Sequence, residues 1–254
     1  FATMDTFVRL LGTQLPVLLL LLLRYLIQAV LMAPVLLMMR QPFASARPGF
    51  QLVRGLLLLA CSAITFAGLR VMPVAEFTAI AMLTPVLVTL LSALLFHEHI
   101  SPLRWGLVLG AFVGALVIIR PGSGVFGWAV LWPLAGCCAY AGFQLVTSRY
   151  APHENPLTTH FWTGTVGAAV LLPFWPLGAV DPVGGWAALS SGERVLAVVI
   201  GLLGTGAHLL LILAFSRTPA SRLTPFMYLQ IAAAMLLGWL VLGHLPDAWA
   251  WLGM

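Results

Sequence analysis

AEFTAIAMLTPVLVTLLSALLFHEHISPLRWGL, residues 75–107, falls without a gap on ASRLTPFMYLQIAAAMLLGWLVLGHLPDAWAWL, residues 220–252, at an offset of 145. Ala75 meets Ala220, Met82 meets Met227, Leu95 meets Leu240 and His99 meets His244. The identities are few, and the shared punctuation carries more. In both copies an arginine and a proline precede a long apolar run. That run ends at a histidine, and a segment containing proline and tryptophan opens the next one. A shift of 139–140 relates FATMDTFVRLL, residues 1–11, to the segment holding Tyr140 and Gln144. The chain therefore reads as two similar halves, residues 1–120 and 121–254.

Composition says what kind of element is repeated. Hydrophobic residues make up 61% of the chain and charged ones 7%, where a soluble domain carries about 25% charged residues. Apolar blocks recur at about 16–39, 52–70, 73–96, 103–119, 125–148, 157–179, 195–215 and 219–243. Each approaches the ~20 residues a helix needs to cross the hydrocarbon core. In lipid such blocks must be helices, because an open strand edge leaves backbone groups unpaired. Residues 1–12 read as the second half of a helix and residues 246–254 as the start of another. The expected fold is an all-α integral membrane protein of ten transmembrane helices, the first and last truncated here. No cleavable signal peptide is visible.

Five helices per half is an odd number, so the two halves are expected to lie inverted in the bilayer. All twelve basic residues are arginine and they are scattered, which argues against nucleic acid and leaves them to set orientation. With the termini cytoplasmic, Arg40, Arg47, Arg54, Arg104, Arg149, Arg217 and Arg222 fall inside, and Arg9, Arg70, Arg120 and Arg194 outside. That seven-to-four split places both termini on the cytoplasmic side of an inner membrane. Inverted halves rocking about a midplane site are a transporter signature.

FHEHI, residues 96–100, is the densest cluster of metal-ligating residue types. Zinc-protease helices use H-E-x-x-H, which puts both histidines on one face. Here Ser101 stands four after His97, and His97 and His99, two apart, do not face each other on a helix. The reading is a polar helix end at the membrane surface, with no metal and no cofactor. Cys61, Cys137 and Cys138 fall mid-helix and read as small packing residues without a disulfide framework.

TMDTFVRLL, LLRYLIQAV, RVMPVAEFTAIAMLTPVLVTLLSALLFHEHIS, GAFVGALVIIRPG and AFSRTPASRLTPFMYLQIAAAMLLGWLVLGHLPD, with the ten-helix layout, resemble the EamA branch of the drug/metabolite transporter superfamily. The resemblance covers nearly the whole chain. One departure is Gly243, where the family commonly shows an acidic residue. The resemblance implies a secondary transporter of small metabolites working by alternating access, with amino-acid export the leading expectation. S-adenosylmethionine, riboflavin and drug-like compounds are the alternatives. It also implies a cavity lined by helices 1, 3, 4, 6, 8 and 9 of the ten. The expected partners are a small-molecule substrate and the lipid bilayer, and the expected assembly is monomeric.

Polar groups within a span are expensive and invite a functional reading. Asp5 and Arg24 are candidates for a coupling or structural ion pair, Arg24 alternatively for snorkelling, and Glu76 lies near the outer mouth. Tyr140 and Gln144 are one turn apart and share a face. Gly201, Thr205, His208 and Ile212 form a stripe in which His208 reads as the sole mid-span histidine, either substrate-binding or proton-carrying, or else a neutral group bonded to a neighbouring helix. Ser62, Thr65 and Phe66 lie together, Met82 sits deep beside Pro85, and Thr224 and Tyr228 share a face. Pro85 and Pro225 free backbone carbonyls for a substrate ammonium. The expected substrate-binding set is Tyr140, Gln144, His208, Tyr228, Ser62, Phe66 and Met82. A polytopic membrane enzyme would need a nucleophile with its base, and a channel a filter loop or charged ring. The sequence displays no such motif.

Overall fold

The structure, a computed structural model, describes residues 1–12, 14–96, 101–120, 127–178, 181–217 and 226–254. FHEHI beyond Phe96 lies outside the described residues, as do Thr224 and Pro225. Among the described residues all regular structure is helical: α1 Ala2–Gly12, α2 Val17–Met38, α3 Pro48–Val71, α4 Val74–Ala81, α5 Thr84–Phe96, α6 Pro102–Ile119, α7 Leu131–Tyr150, α8 Pro156–Leu171, α9 Pro182–Ala188, α10 Ser191–Phe215, α11 Leu229–Leu242 and α12 Ala248–Gly253. Helices within Val17–Met38, Pro48–Val71, Val74–Leu91, Gly127–His153 and Ser191–Phe215 are long and apolar enough to cross a membrane. The protein is an all-helical, multi-pass membrane protein.

Two expected helices differ from their reading. The block 73–96 is interrupted by a turn at Met82–Leu83, between α4 and α5. The cause is Pro85: it has no N–H to give the Ala81 carbonyl, and its ring crowds that carbonyl. The Thr84 hydroxyl donates to the same oxygen at 2.7 Å, and the Cys137 thiol approaches it at 3.4 Å. The carbonyl expected to await a substrate ammonium thus already has partners. A turn also stands at Tyr228, which is the 145-residue image of Leu83. The block 157–179 ends its α-helix at Leu171, before Pro173, and the short α9 follows.

Caps set the registers that matter for the site. Ser190 and Glu193 form a reciprocal capping box at the start of α10, and Asn155 accepts from Leu157 N and Thr158 N at the start of α8. Gly243 ends α11 with φ of 65°, a conformation that costs a glycine little.

The packing is symmetric under exchange of the halves. Taking α4 and α5 as one element and setting α9 aside, α2 and α8 are the second helices and pack together. The pair α3 with α7 is matched by α10 with α1, and the pair α2 with α10 by α8 with α3. Equivalent helices run antiparallel. Tyr25 lies over Gly167 and Ala29 over Gly164, while further along Gln41 meets Asn155. Likewise Gly114 of α6 meets Gly253 of α12 while Arg120 pairs with Asp247 at 2.7 Å. Antiparallel partners are what two inverted halves require.

Candidate functional site

A cavity of about 90 Å³ lies between the halves. The first half contributes Met4 and Asp5 from α1, Arg24 from α2, Ser62, Thr65 and Phe66 from α3, Phe77 from α4 and Met82 at the break after it. The second contributes Gly136 and Tyr140 from α7, His208 from α10 and Gln230 from α11. The lining is mainly apolar, with one carboxylate and one guanidinium facing the same space.

Arg24 is the centre of the polar wall. It is 1% exposed, so it does not snorkel. Its Nη1 donates to Ser62 Oγ at 2.6 Å, and Nη2 lies 3.3 Å from His208 Nδ1. Tyr25 Oη lies 3.0 Å from the same Ser62 Oγ, and the Arg24 guanidinium stacks over the Tyr25 ring, Cζ 4.8 Å from its centroid. Arg24 Nε has no protein partner. Gly204 makes the approach possible, since a Cβ there would stand 2.8 Å from Arg24 Nε. Asp5 faces the cavity from α1, and its Oδ2 accepts from Gln230 Nε2 at 3.3 Å.

The sequence candidates divide. Asp5, Arg24, Ser62, Phe66, Met82, Tyr140 and His208 line the cavity, as do Cys61 and Thr65. Asp5 and Arg24 share it without forming a direct ion pair among the described residues. Glu76 is buried but pairs with His244 at the end of α11, at 3.0 Å, away from the lining. Gln144 is fully buried and reaches Met227 Sδ at 3.9 Å, and Tyr228 is 38% exposed at the α11 turn. Neither lines the cavity. The i,i+4 spacing placed Tyr140 and Gln144 on one face, and the cavity ends between them. Helix 2 is an addition to the expected wall, through Arg24. Cys137 is buried and Cys138 exposed, as adjacent helical positions require, so Cys138 is not a packing residue within this chain.

Sequence reasoning missed a second polar cluster. His160 is a second fully buried histidine, and Gln28 Nε2 donates to its carbonyl at 2.9 Å. Arg54, counted above as a cytoplasmic-loop charge, is fully buried six residues into α3. The signal was present in PLTTHFWTGTVG, residues 156–167, a span too rich in hydroxyls to face lipid.

Antiparallel apolar helices thus enclose a partly polar cavity between the halves. The family model of the EamA-like transporter family matches residues 1–120 and again 127–254, and the chain belongs to that family. A riboflavin transporter of Rhizobium johnstonii is 30% identical over 74% of this chain and 60% of its own length. An S-adenosylmethionine uptake transporter of Rickettsia prowazekii is 25% identical over 80% of this chain and 67% of its own length. A pseudopaline exporter of Pseudomonas aeruginosa is 29% identical over 77% of this chain and 66% of its length. The chain thus spans about two thirds or less of these relatives. A crystal structure superposes with a TM-score of 0.72 over 99% of this chain and 90% of its own, at 17% identity, a likeness of fold alone. These names are those of transporters and not of enzymes.

Proposed function

We propose that the protein moves a small zwitterionic metabolite with an amino-acid head group across the cytoplasmic membrane by alternating access, in the export direction. One observation carries this reading: Asp5 and Arg24 both line one cavity and do not neutralise each other directly. A zwitterion needs acceptors for its ammonium and donors for its carboxylate. Asp5 supplies the first, and the Arg24 guanidinium that lines the same cavity supplies the second. Between them Phe66, Phe77 and Met82 offer an apolar wall to a variable side chain. With this few polar anchors, broad specificity follows.

The second reading is a flat heteroaromatic solute held between Phe66, Phe77 and Tyr140, as the riboflavin-transporter relatives suggest. Flux of radiolabelled amino acids, S-adenosylmethionine and riboflavin in proteoliposomes decides between the two. Uptake of riboflavin with none of the zwitterions would sink the first reading, and the sidedness of flux decides direction. Orientation is part of the proposal. Without the buried Arg54, Arg40, Arg47, Arg104, Arg149, Arg217 and Arg222 stand against Arg9, Arg70, Arg120 and Arg194, six to four, still favouring cytoplasmic termini.

His208 and Gln144 are expected to separate in the same assay. His208 touches Arg24 and the cavity, so His208→Ala should lower apparent affinity about 3- to 10-fold, the worth of one hydrogen bond of about 1 kcal/mol. Gln144 lies off the lining, so Gln144→Leu should leave affinity near wild type in this conformation. The reverse order of effects would move the site toward Gln144.

A further inference from the structure

Arg54 has no role in the cavity described above. It is fully buried, and neither ion pair among the described residues includes it. Its Nε donates to Thr147 Oγ1 at 3.0 Å, and its Nη1 donates to the Thr159 carbonyl at 3.3 Å and to Thr163 Oγ1. Its Nη2 has no partner. One face of the guanidinium covers the Phe143 ring, with Cζ 4.8 Å from the centroid. Among the described residues only neutral groups bond this full positive charge, and the two N–H groups of Nη2 are left without acceptors. Burying an uncompensated charge is costly. A neutral amide would serve helix packing as well, so the charge itself calls for an anion at some point in the working cycle.

The fold says when. Arg54 lies eight residues along α3 from Ser62, about 12 Å at 1.5 Å per residue, and Ser62 is the residue that holds Arg24. Phe143 stands between the two centres, fully buried, with its ring 6.2 Å from that of His208. Arg24 spans the α2–α10 contact, where its Nη2 meets His208, and Arg54 spans the α3–α8 contact, where it meets Thr163. Those two contacts are images of each other under exchange of the halves. Inverted halves exchange conformations when access alternates. A contact that is tight in one state loosens in the other.

A polar strap closes the Arg54 end. The segment between α2 and α3 is tied across to the other half: Asn155 Nδ2 donates to Gln41 Oε1 at 2.5 Å, Ser45 Oγ to Glu154 Oε2 at 2.9 Å, and Trp162 Nε1 to the Phe43 carbonyl at 2.9 Å. From these observations we propose that Arg54 is a second station for the carboxylate of the solute, uncovered when the strap releases and Phe143 turns aside. This rests on the transporter reading above.

The test reads Arg54 directly, without flux. The purified full chain is treated with phenylglyoxal, which modifies accessible guanidinium groups, and Arg54 is located by mass spectrometry. The double variant Gln41→Ala with Ser45→Ala cuts two strap bonds and leaves the Asn155 cap of α8 in place. Arg54 should react about 10-fold faster there than in wild type. L-methionine at a concentration several times its Kd should slow that reaction several-fold by covering the guanidinium, and L-methionine methyl ester should not. No acceleration, equal protection by acid and ester, or full protection by sodium chloride alone would each overturn the proposal. Should the double variant unfold, flux through folded Arg54→Gln and Arg54→Lys proteins replaces it. The glutamine variant should raise KM for the acid about 10-fold and leave the ester unchanged, with lysine restoring part of the loss. Equal losses for acid and ester would assign Arg54 to helix packing. Failure of the transporter reading looks different: wild-type protein moves no solute, while the labelling pattern at Arg54 can still be read.

Discussion

Arg24→Gln is expected to raise the KM for a carboxylate-bearing solute by about 10- to 150-fold, the equivalent of a charged hydrogen bond worth about 1.5–3 kcal/mol. Glutamine is two bonds shorter, so its amide reaches only to about the place of Arg24 Nε and gives up the bond to Ser62 Oγ, now 2.6 Å long, while Tyr25 Oη still holds that hydroxyl at 3.0 Å. It also removes the positive charge and the terminal nitrogens that meet Ser62 and His208. The loss should therefore appear in affinity and discriminate between solutes. The methyl ester of the same solute, and neutral riboflavin if it is carried, should be affected less than about threefold. Arg24→Lys returns a charge but not the planar fork, and should recover part of the affinity. Proteoliposome kinetics on acid and ester together give the answer. If both fall alike, Arg24 supports the fold and does not read the solute.

Gly164→Val is expected to damage the fold severely. A Cβ at Gly164 would stand 2.7 Å from Ala29 N and 3.1 Å from Ala29 Cα. These are backbone atoms of α2, so no side chain can turn away and the two helices must part. Overpacking of this kind costs about 1–3 kcal/mol, and more where backbone has to move. Parting α2 from α8 also pulls Gln28 Nε2 from the His160 carbonyl, now 2.9 Å away. Small residues at such crossings are how helices associate in lipid, where apolar contact alone gives little preference for another helix. Gly206→Val is the control, because apart from its own helix backbone no described atom lies within 4 Å of a Cβ there. Thermal unfolding in detergent should show a large fall for Gly164→Val and little change for Gly206→Val. Equal stability of the two would mean that α2 and α8 are not in such close contact.

The proposed chemistry lies at two depths. Arg24, Ser62 and His208 wall the present cavity, and Arg54 waits behind Phe143 and the strap. Both centres draw on α3, through Ser62 at one level and Arg54 at the other. A helix that serves both contacts is well placed to report the occupancy of one to the other, because a shift along its axis moves both groups together.

The all-helical membrane class and the family were legible in the sequence, because each depends on local or periodic features. Hydropathy over about 20 residues is a property of a segment alone, and an offset of 145 survives without knowing a single contact. Asp5, Arg24 and His208 were legible as candidates because a polar group in an apolar run stands out. Whether such a group faces the cavity is not local. Tyr140 lines the cavity while Gln144, one turn on, lies off it beside Met227. Arg54 looked like a loop charge because it stands near the end of an apolar block, and only the packing of α7 and α8 against α3 buries it. Arg24 and Asp5, opposite in sign, invited a direct pair, and the fold instead gave Arg24 to Ser62 and His208 and Asp5 to Gln230. Pairings between residues far apart in the chain depend on which helices meet, at what depth and at what rotation. Tertiary structure decides those quantities, since the hydrophobic pattern of these helices is too uniform to mark one face from another.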